Sequence, residues 1–191
     1  EAHTFTTEAI AELFGSLPTN PIWLKTSAGL TADVVDAWAP ALNMDRKMGL
    51  LIFCRWSLVM INFEKALYAD PDQDLNALWW NLVEKYQQVK RPEGRNMPDW
   101  AAKIHLVSYP VYYHNYMLGN LLASQLLHHM ADKVVNHGDI NTLNFSGDRR
   151  LGNYLKEKIF APGKALKWDE LIKRATGEPL NPAYFGKDVS V

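Results

Sequence analysis

Leu50-Leu-Ile-Phe-Cys-Arg-Trp-Ser-Leu-Val-Met-Ile-Asn-Phe63 decides the fold class. Arg55, Ser57 and Asn62 are its only strongly polar residues. An apolar run of this length outlasts an ordinary strand, which closes after roughly 4–8 residues. Arg55 breaks it well short of the roughly 18 apolar residues that suggest a membrane span. It reads as a helix that is apolar almost all round and therefore buried on most sides. Asn43 or Asp45 can start it, it runs to about Tyr68, and Asp70-Pro71 breaks it.

Outward from this segment the period stays helical. Ile10, Leu13 and Phe14 share a face in Thr7–Phe14, and Gly15 and Pro18 end that helix. Thr31 can cap a short helix to Trp38, limited by Pro40. Asp74 can cap a helix carrying Leu75, Leu78, Trp79 and Leu82 to about Gln88. Lys90 to Pro98 is a polar loop bearing Pro and Gly. A long helix is expected from about Pro110 to Val135, and another, capped by Ser146, from Gly147 to about Phe160. A short one covers Trp168 to Ala175, closed by Gly177-Glu178-Pro179. No alternating β pattern exceeds four residues, and no repeat or low-complexity tract occurs. The fold class is all-α, with residues 1–191 as a single helical domain.

The composition excludes several function classes. The chain is 48% hydrophobic with 7 Trp, which fits a sizeable core rather than a disordered tail. Lys plus Arg (20) nearly balances Asp plus Glu (21), and no basic stripe stands out, so no nucleic-acid partner is expected. No membrane span is expected either. The single Cys54 rules out an internal disulfide and any zinc cluster built on cysteines. No secretory leader opens the chain, and its start without Met reads as a cut from something longer.

The stretch from Trp100 to Tyr116 gathers Lys103, His105, His114 and the tyrosines 109, 112, 113 and 116. If Ala102 to Ser108 is extended, Lys103 and His105 point the same way. A Lys suits an anionic group, and a His can donate to a neighbouring carbonyl or oxyanion. Tyr113 and Tyr116, three apart, would share a face of the following helix, with Pro110 in its first turn. The same residues would also serve as packing groups whose polar tips bond to backbone. Glu8 and Glu12 lie one turn apart. Such a pair can hold a metal and orient its other ligands, or can form a solvated acidic face near a helix N-terminus. The remaining histidines are 3, 114, 128, 129 and 137; His128 and His129 are adjacent and splay apart on a helix. The chain holds no H-E-x-x-H, no nucleophile elbow and no Gly-rich phosphate loop. Glu64-Lys65 and Glu84-Lys85 read as surface charge, and Trp79-Trp80 as a core pair at a helix seam.

Taken in order, these segments resemble the angiotensin-converting-enzyme (peptidyl-dipeptidase A) family of zinc peptidases. The likeness rests on Phe63-Glu64-Lys65-Ala-Leu-Tyr68, Leu78-Trp79-Trp80-Asn81-Leu82-Val-Glu-Lys85-Tyr86-Gln87, and Ala102-Lys103-Ile-His105 before a Tyr-x-x-Tyr helix. Thr7-Glu8-Ala9-Ile10-Ala11-Glu12 and Trp168 to Pro179 extend it over nearly the whole chain. Tyr112-Tyr113-His-Asn-Tyr116-Met-Leu118-Gly119-Asn120-Leu-Leu-Ala-Ser-Gln125-Leu also resembles carboxypeptidase Taq, a related helical zinc peptidase. The resemblance implies the C-terminal part of a larger peptidase of neurolysin/angiotensin-converting-enzyme-like fold.

It also implies roles. Glu8 matches a zinc ligand lying beyond the H-E-x-x-H helix, and Glu12 matches an acid that orients a ligating His. Lys103 matches the grip on the substrate's C-terminal carboxylate. His105 matches a donor to the peptide backbone near the scissile carbonyl. Tyr113 and Tyr116 match a pair that holds the carboxylate and stabilises the oxyanion. Tyr112 is a further substrate contact, since counting straight from Lys103 selects Tyr112 and Asn115 instead. The H-E-x-x-H helix is expected before Glu1, so zinc belongs to the complete enzyme and this chain alone is expected to be inactive. Chloride activation is not expected, because His114 or Asn115, and Val83, stand where animal members carry chloride-binding Arg. The expected partners are a peptide substrate, and either the upstream half or a second copy on an exposed apolar face. Periplasmic or extracellular placement follows from the resemblance alone. The competing readings are a non-catalytic helical peptide-binding domain and a helical interaction domain.

Overall fold

The computed structural model describes residues 3–136 and 138–190, so His137 lies outside the described residues. Among these residues nine α-helices form and no strand. The chain is all-α, as its periodicity demands. It groups into two compact units: residues 49–117, and the described residues up to Met48 together with those from Leu118 onward.

In the latter unit, α1 (Thr4–Gly15) buries Phe5, Thr6, Ala9 and Leu13. Phe14, expected on the buried face, is 46% exposed and meets Phe145 edge-on instead. The stripe is rotated because α1 crosses α6 (His114–His129) at Gly119. A β-carbon there would lie 2.8 Å from Glu8 Cβ and 3.1 Å from the Ala9 nitrogen. Glycine lets the two backbones approach and so fixes which face of α1 turns inward. The core continues through Leu122, Leu126, Met130, Leu151, Ile159 and Ile172. Helix α2 (Pro21–Thr26) was not anticipated. Its signal was present in Asn20-Pro21, where the Asn20 side chain accepts from the Ile22 and Trp23 N–H groups.

The C-terminal elements are tied down by buried polar groups. Gln125, fully buried, donates to Thr176 Oγ1 and the Pro179 carbonyl and accepts from Asn181 N–H. Asp188, on the unanticipated α9 (Ala183–Val189), accepts from Ser124 Oγ and sits 2.8 Å from His128 Nε2. His129 stacks on Tyr154 instead, so the two histidines do splay apart. Helix α7 (Arg149–Leu155) is capped by Asp148, which accepts from Arg150 N–H, rather than by Ser146. It passes into a π turn at Lys156–Phe160. Helix α8 (Trp168–Thr176) ends on left-handed Gly177, as expected.

Two boundaries around the opening segment need correction. Pro40 does not separate two helices: α3 runs unbroken from Ala32 to Ala69. Proline removes one helical N–H, and the Asp36 carbonyl it would have met belongs to an exposed residue that water can serve. Nor is α3 buried on most sides. In the 49–117 unit it buries Val59, Met60 and Phe63 while Leu51 is 47% exposed, Ile52 51% and Leu58 38%. Among the described residues no helix is long and apolar enough to cross a membrane.

Against that buried stripe packs α4 (Leu75–Gln87), capped by Asp74, which accepts from Ala77 N–H at 2.9 Å. Trp79 is its buried anchor, edge-on to both Trp56 and Phe63. Glu64, read from sequence as surface charge, is buried at 7% exposure. It follows Met60 by one turn and therefore falls on the apolar face.

Candidate functional site

Lys103 is a single extended residue between a 3₁₀ turn at Asp99–Ala102 and the short helix α5 (Ile104–Val107). The expected extended stretch from Ala102 to Ser108 is thus absent. Lys103 and His105 are therefore not an alternating pair on one strand. The Lys103 ammonium stands 5.2 Å from the Trp56 ring centre and 5.7 Å from that of Trp79. Ring faces attract a cation, worth roughly 0.5–2 kcal/mol depending on desolvation. Among the described residues this ammonium forms no ion pair.

Lys103 lines a cavity of about 900 Å³ that also borders Trp56, Trp79, Trp80, Val83 and Met97. The 90–98 loop forms its wall, and polar contacts hold that loop in place. Arg95 forks onto Asp99, whose other donor is Trp80 Nε1 at 3.1 Å. The Arg95 hydrogen bonds hold the Asp99 carboxyl below its ordinary range, with smaller help from the Lys103 charge. Arg91 donates to the Arg95 carbonyl and to Asn96 Oδ1. The result is an apolar floor of Trp56, Trp79 and Val83 that carries Lys103, with Arg95 in the wall paired to Asp99.

His105 sits among three tyrosine rings, with centres 6.0 Å (Tyr112), 5.0 Å (Tyr113) and 5.4 Å (Tyr116) away. Its Nε2 lies 3.1 Å from the Tyr116 hydroxyl. Tyr113 is buried, and its oxygen accepts from Trp56 Nε1 at 2.6 Å. Burial pushes the Tyr113 hydroxyl above its usual range, opposed by the Trp56 bond, so it remains a protonated donor at neutral pH. Trp56 thus carries Lys103 on its face and Tyr113 on its edge. Tyr113 and Tyr116 do not share a helix face. Helix α6 begins only at His114, because Val111 at φ +55° prevents Pro110 from starting it. The sequence reading missed Trp56, Trp79 and Glu64. Their signal was position: each lies on an apolar helix stripe that also meets the polar cluster.

Glu8 and Glu12 belong to the other unit. Burial raises the Glu12 carboxyl above its ordinary range; an Asn120 hydrogen bond opposes this and the Glu8 charge adds to it. Glu8, expected from the resemblance as a metal ligand, is a single carboxylate beside Glu12. Among the described residues no group of three or more His, Cys, Asp or Glu could hold an ion. The described residues therefore do not build a metal centre by themselves.

A family model for the carboxypeptidase Taq (M32) metallopeptidases matches residues 61–190, which carry Lys103, His105, the three tyrosines and Trp79 but not Trp56. This chain belongs to that family. The angiotensin-converting enzyme of Sus scrofa is similar as well: 25% identical over 175 residues, which are 89% of this chain and 13% of the relative. The chain thus spans only a small part of that relative's length. No solved structure matches the chain. The membership agrees with the all-α fold and with a metallopeptidase-like helical domain.

Proposed function

We propose that this chain supplies the substrate-gripping and oxyanion-stabilising part of a zinc-dependent peptidase that acts near the C-terminus of peptides, releasing dipeptides or single residues. The observation that carries the reading is Lys103: a cation with no ion pair among the described residues, held on two indole rings beside His105 and its tyrosines. Lys103 receives the terminal carboxylate. His105, Tyr113 and Tyr116 donate to the peptide carbonyl and to the charge that develops on its oxygen, an effect worth a few kcal/mol per well-placed donor. Tyr112, whose ring centre lies 6.0 Å from that of His105, is a further substrate contact. Glu8 contributes one carboxylate toward the family's metal, with Glu12, hydrogen-bonded to Asn120, one turn away. The exposed Leu51, Ile52 and Leu58 are covered by the upstream part of the enzyme or by a second copy. Periplasmic or extracellular placement belongs to the same reading.

The test is a tryptophan-fluorescence titration with an acetylated tripeptide and with its C-terminal amide. The acid should bind about tenfold or more tightly than the amide, and Lys103→Ala should erase that preference. Equal binding of acid and amide would overturn the carboxylate grip. The chain alone is expected to bind without cleaving, whereas zinc-loaded full-length protein cleaves. Binding without cleavage in the full-length protein would instead favour a non-catalytic peptide-binding domain.

A further inference from the structure

The Glu64 carboxylate has no place in that set of groups, yet it is buried in the core of the 49–117 unit. Among the described residues it forms no ion pair. Its Oε1 accepts the Val111 backbone N–H at 2.5 Å. Val111 has φ +55°, a left-handed conformation that β-branched residues rarely adopt. The Val111 side chain is 60% exposed, so its own packing does not impose that conformation. A buried carboxylate needs a donor, and a strained backbone needs a restraint. One hydrogen bond meets both needs.

The position of this bond gives it a consequence. Val111 immediately precedes Tyr112 and Tyr113, and the left-handed turn delays the start of α6 until His114. Trp56, two helical turns before Glu64, holds the Tyr113 hydroxyl. Helix α3 therefore pins the tyrosine loop at two points, by backbone at 111 and by side chain at 113. An apolar residue at position 64 would suit the surrounding core of Val59, Met60 and Phe63 better and would carry no desolvation penalty. We infer that Glu64 is a positioning residue: through the Val111 backbone it sets Tyr112 and Tyr113 around His105. Its effect on peptide binding rests on the function proposed above, whereas its effect on the loop does not.

Two readouts separate these claims. The first is the Trp56 indole N–H resonance, assigned with Trp56→Phe, which reports the bond to Tyr113. The second is affinity for the acetylated tripeptide. Glu64→Gln keeps an acceptor oxygen at the same reach and should leave both unchanged. Glu64→Leu removes the acceptor, and Glu64→Asp shortens its reach while keeping the charge. Both should shift the Trp56 resonance and leave that of Trp100 in place. Both should also weaken the peptide more than about tenfold, the scale on which misplaced site groups act. Adding Val111→Gly, which adopts positive φ without strain, should recover part of the loss. If Glu64→Leu does not fold, Glu64→Asp decides the matter. An unshifted Trp56 resonance in Glu64→Asp overturns the inference, as does a Glu64→Gln defect equal to that of Glu64→Asp. If wild type binds no peptide, the proposed function fails, and the Trp56 resonance still decides the positioning role.

Discussion

At the scale of single residues, Gly119 governs where Glu8 stands. Its missing side chain lets α6 pass against the Glu8–Ala9 backbone. In Gly119→Ala the new β-carbon would meet backbone atoms, which cannot swing aside as a flexible side chain can. Overpacking of this kind costs about 1–3 kcal/mol, more than the roughly 0.5–1 kcal/mol that Ala gains over Gly in a helix. Gly152 in α7 is the control, since a β-carbon there meets nothing within 4 Å. Urea unfolding should show Gly119→Ala destabilised by about 1 kcal/mol or more and Gly152→Ala stabilised by about 0.5–1 kcal/mol. Equal shifts in the two variants would refute the close-crossing argument.

At the scale of elements, caps determine where the site's walls begin. Asp74 starts α4, and α4 carries Trp79 under Lys103 and Trp80 to Asp99. Asp74→Ala should lower stability by about 0.5–2 kcal/mol, the usual loss for an N-cap. The first turn of α4 lies before Trp79, so the variant should also weaken the acetylated tripeptide. Unchanged urea midpoints would show that Asp74 does not cap α4 in solution. Asp74, Gly177 and the helical period were all legible, because caps and periods are local. The α3 boundary was not. Pro40 predicts a break from local geometry, whereas the observed helix continues and leaves one carbonyl to solvent. The start of α6 was missed for the opposite reason, since a residue 47 positions away in sequence, Glu64, holds Val111 out of helical geometry.

At the scale of the whole molecule, half-buried titratable groups shape the stability profile against pH. Burial and the nearby Lys133 charge hold His129 below its ordinary range, opposed by Asp132 and Glu178. The folded state therefore favours neutral His129. The unfolded chain, with an ordinary value of roughly 6.5, binds the proton first as pH falls. Stability from this group is fully present above about 6.5 and is lost as pH drops below it. Glu12 has the other sign. Its raised folded value means stability declines as pH rises past the ordinary carboxyl value of roughly 4.3. His129→Gln should flatten the dependence of the urea midpoint between about pH 5 and 7. A slope matching wild type would assign that limb to another group.

The sequence alone determined the all-α class, most helices and the identity of Lys103, His105 and the tyrosines as a polar cluster, since each depends on spacing along the chain. The family likeness was legible there too, in motifs order preserves. Only the tertiary structure decided that Trp56 joins Lys103 to Tyr113, that Glu64 is buried, and that Gly119 admits Glu8. Those facts depend on contacts between residues distant in sequence, and side-chain periodicity within one helix cannot say which neighbour a face will meet.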